Sequence, residues 1–67
     1  MKGIGMPDTD ENRFEIATEL VTLSELWADR GNAEYSSALR RAAVACMDGV
    51  GDINHYADVL GKAEEAL

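Results

Sequence analysis

Apolar residues recur at intervals of three and four along the first half of the chain, which is the period of an amphipathic α-helix. At about 100° per residue, the apolar positions of this helix fill an arc of roughly half the circumference or more. The members of the arc are Phe14, Ile16, Ala17, Leu20, Val21, Leu23, Trp27 and Ala28. A helix needs an arc of only about 100° to pack against one neighbour. We therefore expect helix 1 to be central and to contact at least two other helices.

Residues that favour helix ends predict three helices, over about residues 9–29, 33–48 and 52–66. Asn32 and Asp52 precede the second and third helices, and both residue types are favoured N-caps because their side chains accept hydrogen bonds from free backbone N–H groups. Glycines follow the first and second helices and can end them in the left-handed conformation. The connections are short, so successive helices should be antiparallel neighbours.

The start of the chain offers two candidate caps for helix 1. Asp8 stands three residues before Glu11, which is the spacing of a capping box, and Thr9 is the rival cap. Residues 1–7 contain two glycines and Pro7, which discourage regular structure. We predict that residues 1–7 form a flexible arm.

Helices 2 and 3 have narrower apolar faces. The face of helix 2 contains small residues that would allow another helix to approach closely, and it comprises Tyr35, Ala38, Leu39, Ala42, Ala43 and Cys46. In helix 3 the apolar residues alternate by three and four, as the a and d positions of a heptad do. With two large residues of helix 1, they predict a seam for helix packing or oligomer formation. The residues of this seam are Leu20, Trp27, Ile53, Tyr56, Leu60 and Leu67.

These patterns predict one all-α domain over residues 1–67, a three-helix up-down-up arrangement with helix 1 central. A chain of 67 residues buries only roughly 60% of the surface that its unfolded form exposes. The wide arc of helix 1 and the seam of helix 3 together exceed what so short a chain can cover. We therefore expect a homodimer to complete the fold.

The charge of the chain limits its partners. Thirteen acidic and six basic residues give a formal net charge of −7. Negative charge opposes binding to the phosphates of nucleic acid and to anionic membrane surfaces, and it favours basic partners or simply solubility. No apolar run approaches the roughly 20 residues of a membrane span, and a lone cysteine fits a reducing compartment. We predict a cytoplasmic protein that binds neither nucleic acid directly nor membrane.

One side of helix 1 concentrates this charge. Its carboxylates are Glu11, Glu15, Glu19, Glu25 and Asp29. Arg13 is the one basic residue between the first and last of them. Like charges four residues apart destabilise a helix by a few tenths of a kcal/mol per pair. We interpret the row, called here the acidic face, as a surface for a cationic partner, and a solvated surface without a partner is the open alternative.

Few residues suggest chemistry. Cys46 lies on the apolar face of helix 2 and, as the single thiol, is interpreted as a core residue. Asp52, His55 and Asp58 are spaced by three and share one side of helix 3. They resemble a ligand set for a divalent cation in type, but Asp52 is the predicted N-cap and a lone histidine is a weak ligand set. We predict no catalytic residue, no metal site and no cofactor.

The function that fits these features is a small acidic helical module for protein–protein interaction, regulatory or adaptor in role and without catalytic activity. Its partner would be another protein with a basic surface. The alternative is an acidic inhibitor that imitates nucleic acid and occupies a basic groove on its target. A metal-dependent enzyme assembled across a dimer is a third and poorer fit.

Overall fold

The computed structural model describes residues 6–67, which form three α-helices: α1 (Asp10–Asp29), α2 (Ala33–Met47) and α3 (Ile53–Glu65). No strand occurs within this part of the chain. Helix α1 packs against both other helices, and most extensively against α2. The all-α, three-helix architecture with helix 1 central is thus confirmed, whereas the homodimer stays a prediction.

The helix ends follow local hydrogen bonding. Asn32 caps α2, because its side-chain Oδ1 accepts a hydrogen bond from the backbone N–H of Tyr35 at 3.1 Å. Asp52 caps α3 in the same way, with the N–H of Asn54 at 3.0 Å. Gly31 follows α1 with a φ of 91°, a left-handed conformation that glycine adopts without a Cβ clash. Each observed helix end lies within one residue of the position that the sequence predicts.

The N-cap of α1 is Thr9 and not Asp8. The hydroxyl of Thr9 accepts the backbone N–H of Asn12 at 3.0 Å. Asp8 is unavailable because its carboxylate binds the guanidinium of Arg13, at 2.6 Å and 3.0 Å. The capping-box interpretation of Asp8 is therefore wrong, since a stronger charged partner lies five residues along the chain.

Most of the predicted flexible arm, residues 1–5, lies outside the described residues. The two described residues of the arm are bound to the rest of the domain. The backbone N–H of Met6 donates to Asn54 Oδ1 at 2.8 Å, and the carbonyl of Pro7 accepts from Asn12 Nδ2 at 2.9 Å. The chain before α1 therefore contacts both α1 and α3.

The core lies where α1 meets α2 and α3. Its buried apolar residues are Ile16, Ala17, Leu20, Leu23, Leu39, Ala43, Cys46, Ile53, Tyr56 and Ala63. Half-buried side chains, among them Trp27, Tyr35 and Leu60, pack against this cluster. The ring of Trp27 meets the ring of Tyr35 edge to face at 4.8 Å between centroids. None of the helices within residues 6–67 is both long and apolar enough to cross a bilayer.

Several residues of the predicted apolar faces are exposed. On α1 these are Phe14, Val21 and Ala28, and on α2 the exception is Ala38. The physical reason is that each helix packs through only part of its apolar arc, so the edges of the arc remain at the surface.

The predicted seam divides in the same way. Leu20, Ile53 and Tyr56 are buried inside the domain, so they are unavailable to a partner. Trp27 and Leu60 are half-buried, and Leu67 follows the end of α3 and is exposed. The central members of the seam therefore pack within the monomer core, which is one of the two roles that the sequence left open.

Candidate interaction surfaces

The acidic face of α1 is fully at the surface. All five carboxylates that define it are exposed, and none forms an ion pair within residues 6–67. The two ion pairs in that part of the chain join Arg13 to Asp8 and Lys62 to Asp58. The negative charge of α1 is therefore uncompensated within the described domain.

Beside the acidic face runs an apolar groove between α1 and α2. It has a volume of about 320 Å³, and no residue of α3 lines it. The lining residues are Phe14, Ala17, Thr18, Val21, Ala43, Val44, Met47 and Asp48. Ala17 and Ala43 form the buried floor, while the large side chains stand on the two walls. Of these, Phe14 is 59%, Val44 61% and Met47 51% exposed.

The groove follows from the sizes of the residues. Small side chains on the floor allow α1 and α2 to approach closely, because no long side chain separates the two backbones there. The larger side chains that flank this floor, Phe14 and Val21 on α1 and Val44 and Met47 on α2, do not fit between the two helices and remain exposed beside them. A helical wheel places Phe14 and Val21 in the apolar arc of α1, but it shows only how wide the arc is, and not how much of it a neighbour covers.

A basic edge adjoins the groove on α2. Arg40 and Arg41, both exposed, lie beside Val44, and Val50 of the loop after α2 lies on the same surface. Neither arginine forms an ion pair with any carboxylate of residues 6–67. Asp48, at the end of α2, lies on the same surface, so the α2 side carries two arginines and one carboxylate, whereas the α1 side adjoins the acidic face.

Arg13 forms a buried polar junction at the other side of α1. The side chain is only 6% exposed, and its guanidinium donates to Asp8, to the carbonyl of Cys46 at 2.9 Å and to the carbonyl of Gly51 at 2.7 Å. One side chain thereby joins the segment before α1 to the end of α2 and to the loop before α3. The hydrogen bond from Arg13 lowers the pKa of Asp8 below its usual value.

Tyr56 completes this junction from α3. Its hydroxyl donates to the carbonyl of Val50, and it lies so near Gly51 that a Cβ there would come within 2.9 Å of the phenolic oxygen. Gly51 has a φ of 80°, so this loop needs glycine for conformation as well as for space. The fixed loop sets the start of α3 against the other two helices.

The sequence contains one signal of this junction. At about 100° per residue, Arg13 falls inside the buried arc of α1, between the positions of Leu20 and Ala17. A charged residue within an apolar arc is buried only when it is paired. Its partners lie five, 33 and 38 residues away, so their identity required the fold.

The candidate chemical groups do not assemble into a reactive site. Cys46 is fully buried, and burial raises the pKa of its thiol, which donates to the carbonyl of Arg13 at 3.5 Å. Two of the three candidate metal ligands have other roles, since Asp52 caps α3 and Asp58 pairs with Lys62 at 3.2 Å, and the third, His55, is exposed beside the ring of Tyr56. Within residues 6–67, no group of three or more His, Cys, Asp or Glu is placed to hold a metal ion.

The described residues present three surface features: an acidic face, an apolar groove and a basic edge, all on the packed helices α1 and α2. No curated protein and no solved structure matches the chain. A family model does match, over residues 6–67. That span covers nearly all of the chain, which therefore belongs to the family described as Domain of unknown function (DUF7273).

Proposed function

We propose that this protein is a non-enzymatic module for protein–protein interaction, regulatory or adaptor in role, whose partner carries a basic surface. The observation that supports the proposal is the acidic face of α1, a row of exposed carboxylates without ion pairs in the described domain. It acts in the cytoplasm and uses no cofactor.

Uncompensated charge on one helix has an energetic consequence. Glu15 and Glu19 stand four residues apart, as do Glu25 and Asp29, and each such pair destabilises α1 by a few tenths of a kcal/mol. A partner with a basic surface offsets this repulsion when it binds. Complementary charge also accelerates association and makes its rate sensitive to salt.

The test uses two charge-reversed variants of equal net charge. At about 100° per residue, Glu15 and Glu19 lie on the side of the acidic face far from the groove. The test variant is Glu15→Lys with Glu19→Lys. The control is Glu64→Lys with Glu65→Lys, two exposed residues at the end of α3. Circular dichroism should show unchanged helix content in both.

Wild type and both variants are immobilised and exposed to an extract of the cells that make the protein, at two salt concentrations. We expect a basic protein that wild type and the Glu64/Glu65 control retain and that the Glu15/Glu19 variant loses. Retention of the same proteins by all three chains would show that the acidic face is only a solvated surface.

The second candidate is an inhibitor that imitates nucleic acid. It is favoured by the length of the row, since α1 carries carboxylates from Glu11 to Asp29, a distance of about 27 Å at 1.5 Å per residue. A basic groove that binds a phosphate backbone could accept such a row. Duplex DNA titrated at fixed salt should then displace the captured partner, whereas simultaneous binding would favour an ordinary interaction module.

A further inference from the structure

We propose that the groove between α1 and α2 binds a second copy of this chain, so that the acidic wall of each copy lies against Arg40 and Arg41 of the other. The dimer uses Glu11 and Glu25 at the edge of the acidic face and leaves Glu15 and Glu19, on its far side, to the heterologous partner of the proposed function. The groove also differs from the predicted seam, whose central residues are buried.

The first support is the apolar surface itself. Phe14, Val21, Val44 and Met47 are large, exposed and grouped around one groove, although the chain has few large apolar residues. A grouped apolar patch marks a binding surface more strongly than scattered apolar residues do. The groove floor is already formed by Ala17 and Ala43, so binding needs no rearrangement of the core.

The second support is the charge on the two walls. At about 100° per residue, Glu11, Glu25 and Asp29 are the carboxylates of the acidic face that point nearest to the groove, and of these Glu11 and Glu25 lie within about a turn of Phe14 and Val21 along the helix. On the α2 side stand Arg40, Arg41 and Asp48, two positive charges against one negative charge. The other basic residues of residues 6–67 have contacts of their own: Arg13 with Asp8, Lys62 with Asp58, and Arg30 over the ring of Trp27 at 5.7 Å.

These walls are complementary to each other in a twofold assembly. A closed dimer uses the same patch on both copies, so residue i meets residue j and residue j meets residue i. When α1 of one copy lies over α2 of the other, both contacts between the copies are acid against arginine. An amphipathic helix from a different protein would explain the apolar groove, but it would not require that the two walls have opposite charge.

The exposed face of α1 and α2 is large enough for a dimer contact. Helices α1 and α2 are about 30 Å and 22 Å long at 1.5 Å per residue, and together about 20 Å wide with their side chains. A standard interface takes roughly 800 Å² from each partner, under a fifth of the 4377 Å² accessible on this chain. The face of α1 and α2 therefore lies at the lower end of the area of stable interfaces.

The first experiment is analytical ultracentrifugation of the full chain over micromolar to millimolar concentration. Wild type should approach twice the chain mass of 7.3 kDa. Val44→Glu should remain a monomer because it places a charge inside the apolar contact. Leu26→Glu is the matched control: Leu26 is also a large exposed residue, 44% against 61% for Val44, but it lies on α1 outside the groove.

The second experiment tests the charge pairing by exchange. One chain carries Glu11→Lys and Glu25→Lys, and the other carries Arg40→Glu and Arg41→Glu. Each should fail to self-associate, because its two walls then have the same sign. An equimolar mixture should recover the dimer as a heterodimer, since both contacts again join opposite charges. Far-UV circular dichroism of all variants checks that each is folded.

Three outcomes would overturn the proposal: wild type that stays monomeric at millimolar concentration, a dimer that survives Val44→Glu, or a charge-exchanged mixture that stays monomeric. Suppose that wild type is monomeric and captures a heterologous partner, and that the Val44→Glu variant does not capture it. The groove then binds that partner and not a second copy. Failure here leaves the proposed function intact, because the latter rests on Glu15 and Glu19 and is measured by partner capture.

Discussion

Two neighbouring stripes of apolar side chains on α1 have very different surroundings. One stripe contains Ile16, Leu20 and Leu23, which are buried against the other helices. The other contains Phe14 and Val21, which are exposed on the wall of the groove. Both stripes have the residue types of a protein core, so composition does not distinguish them.

The difference shows that the apolar arc of a helix can include residues that pack within the domain and residues that pack against a partner. Helices α2 and α3 cover the first stripe of α1 and leave the second free. The uncovered stripe is therefore the part of the arc that remains for a partner. Substitutions in the covered stripe should therefore affect stability, and substitutions in the uncovered stripe should affect binding.

The largest effect is expected from Leu20→Ala compared with its neighbour Val21→Ala. Leu20 is 0% exposed and Val21 is 40% exposed. Truncating a buried leucine removes apolar contacts and leaves a cavity, which destabilises a protein by about 2–5 kcal/mol. A surface substitution usually changes stability by no more than about 0.5 kcal/mol. Urea unfolding of both variants at low concentration, where dimers dissociate, measures the difference; equal losses would mean that the two stripes are not distinct.

The next effect concerns the charged end of the buried stripe. Arg13→Lys keeps the charge but cannot donate in three directions from one planar group, so the bonds to Asp8, Cys46 and Gly51 cannot all persist. We expect a clear fall in melting temperature. Arg41→Lys, on the exposed edge of α2, should leave the melting temperature unchanged. A silent Arg13→Lys would show that the junction does not hold the three segments together.

Two glycines extend the comparison beyond α1. Gly51→Ala should destabilise the domain by about 1 kcal/mol or more, because alanine is strained at positive φ and its Cβ would lie 2.9 Å from the Tyr56 hydroxyl. Gly61→Ala should stabilise α3 by up to about 1 kcal/mol, since alanine is the better helix former and its Cβ meets nothing within 4 Å. Thermal unfolding that shifts both variants in the same direction would contradict this assignment.

The smallest expected effect is a change in how the stability of the domain depends on pH. Because the pKa of Asp8 is lowered in the folded chain, its contribution to stability is present above the pKa of the unfolded chain. That contribution is lost as pH falls through the folded pKa. Asp8→Asn should therefore weaken the domain at neutral pH and reduce the loss of stability between neutral and strongly acidic pH. Chemical unfolding of both chains across this range is the measurement, and parallel curves would argue against the Asp8–Arg13 pair.

The sequence by itself determined the helices and the character of their surfaces. The side chains of Asn32 and Asp52 accept hydrogen bonds from backbone N–H groups no more than three residues away. The starts of α2 and α3 could therefore be predicted from local chemistry. The exposure of the acidic face and the burial of Cys46 also follow from residue type and helical period. These features depend on neighbours along one helix.

Only the tertiary structure decided which half of the apolar arc of α1 is covered and what pairs with Arg13. Phe14 and Leu20 both belong to the apolar arc, and whether each is buried depends on where α2 and α3 pack against α1. The carbonyls of Cys46 and Gly51 reach Arg13 from 33 and 38 residues away. The helical period gives the direction in which each side chain leaves its own helix. Burial and pairing depend on the distances between helices, and no local sequence pattern contains those distances.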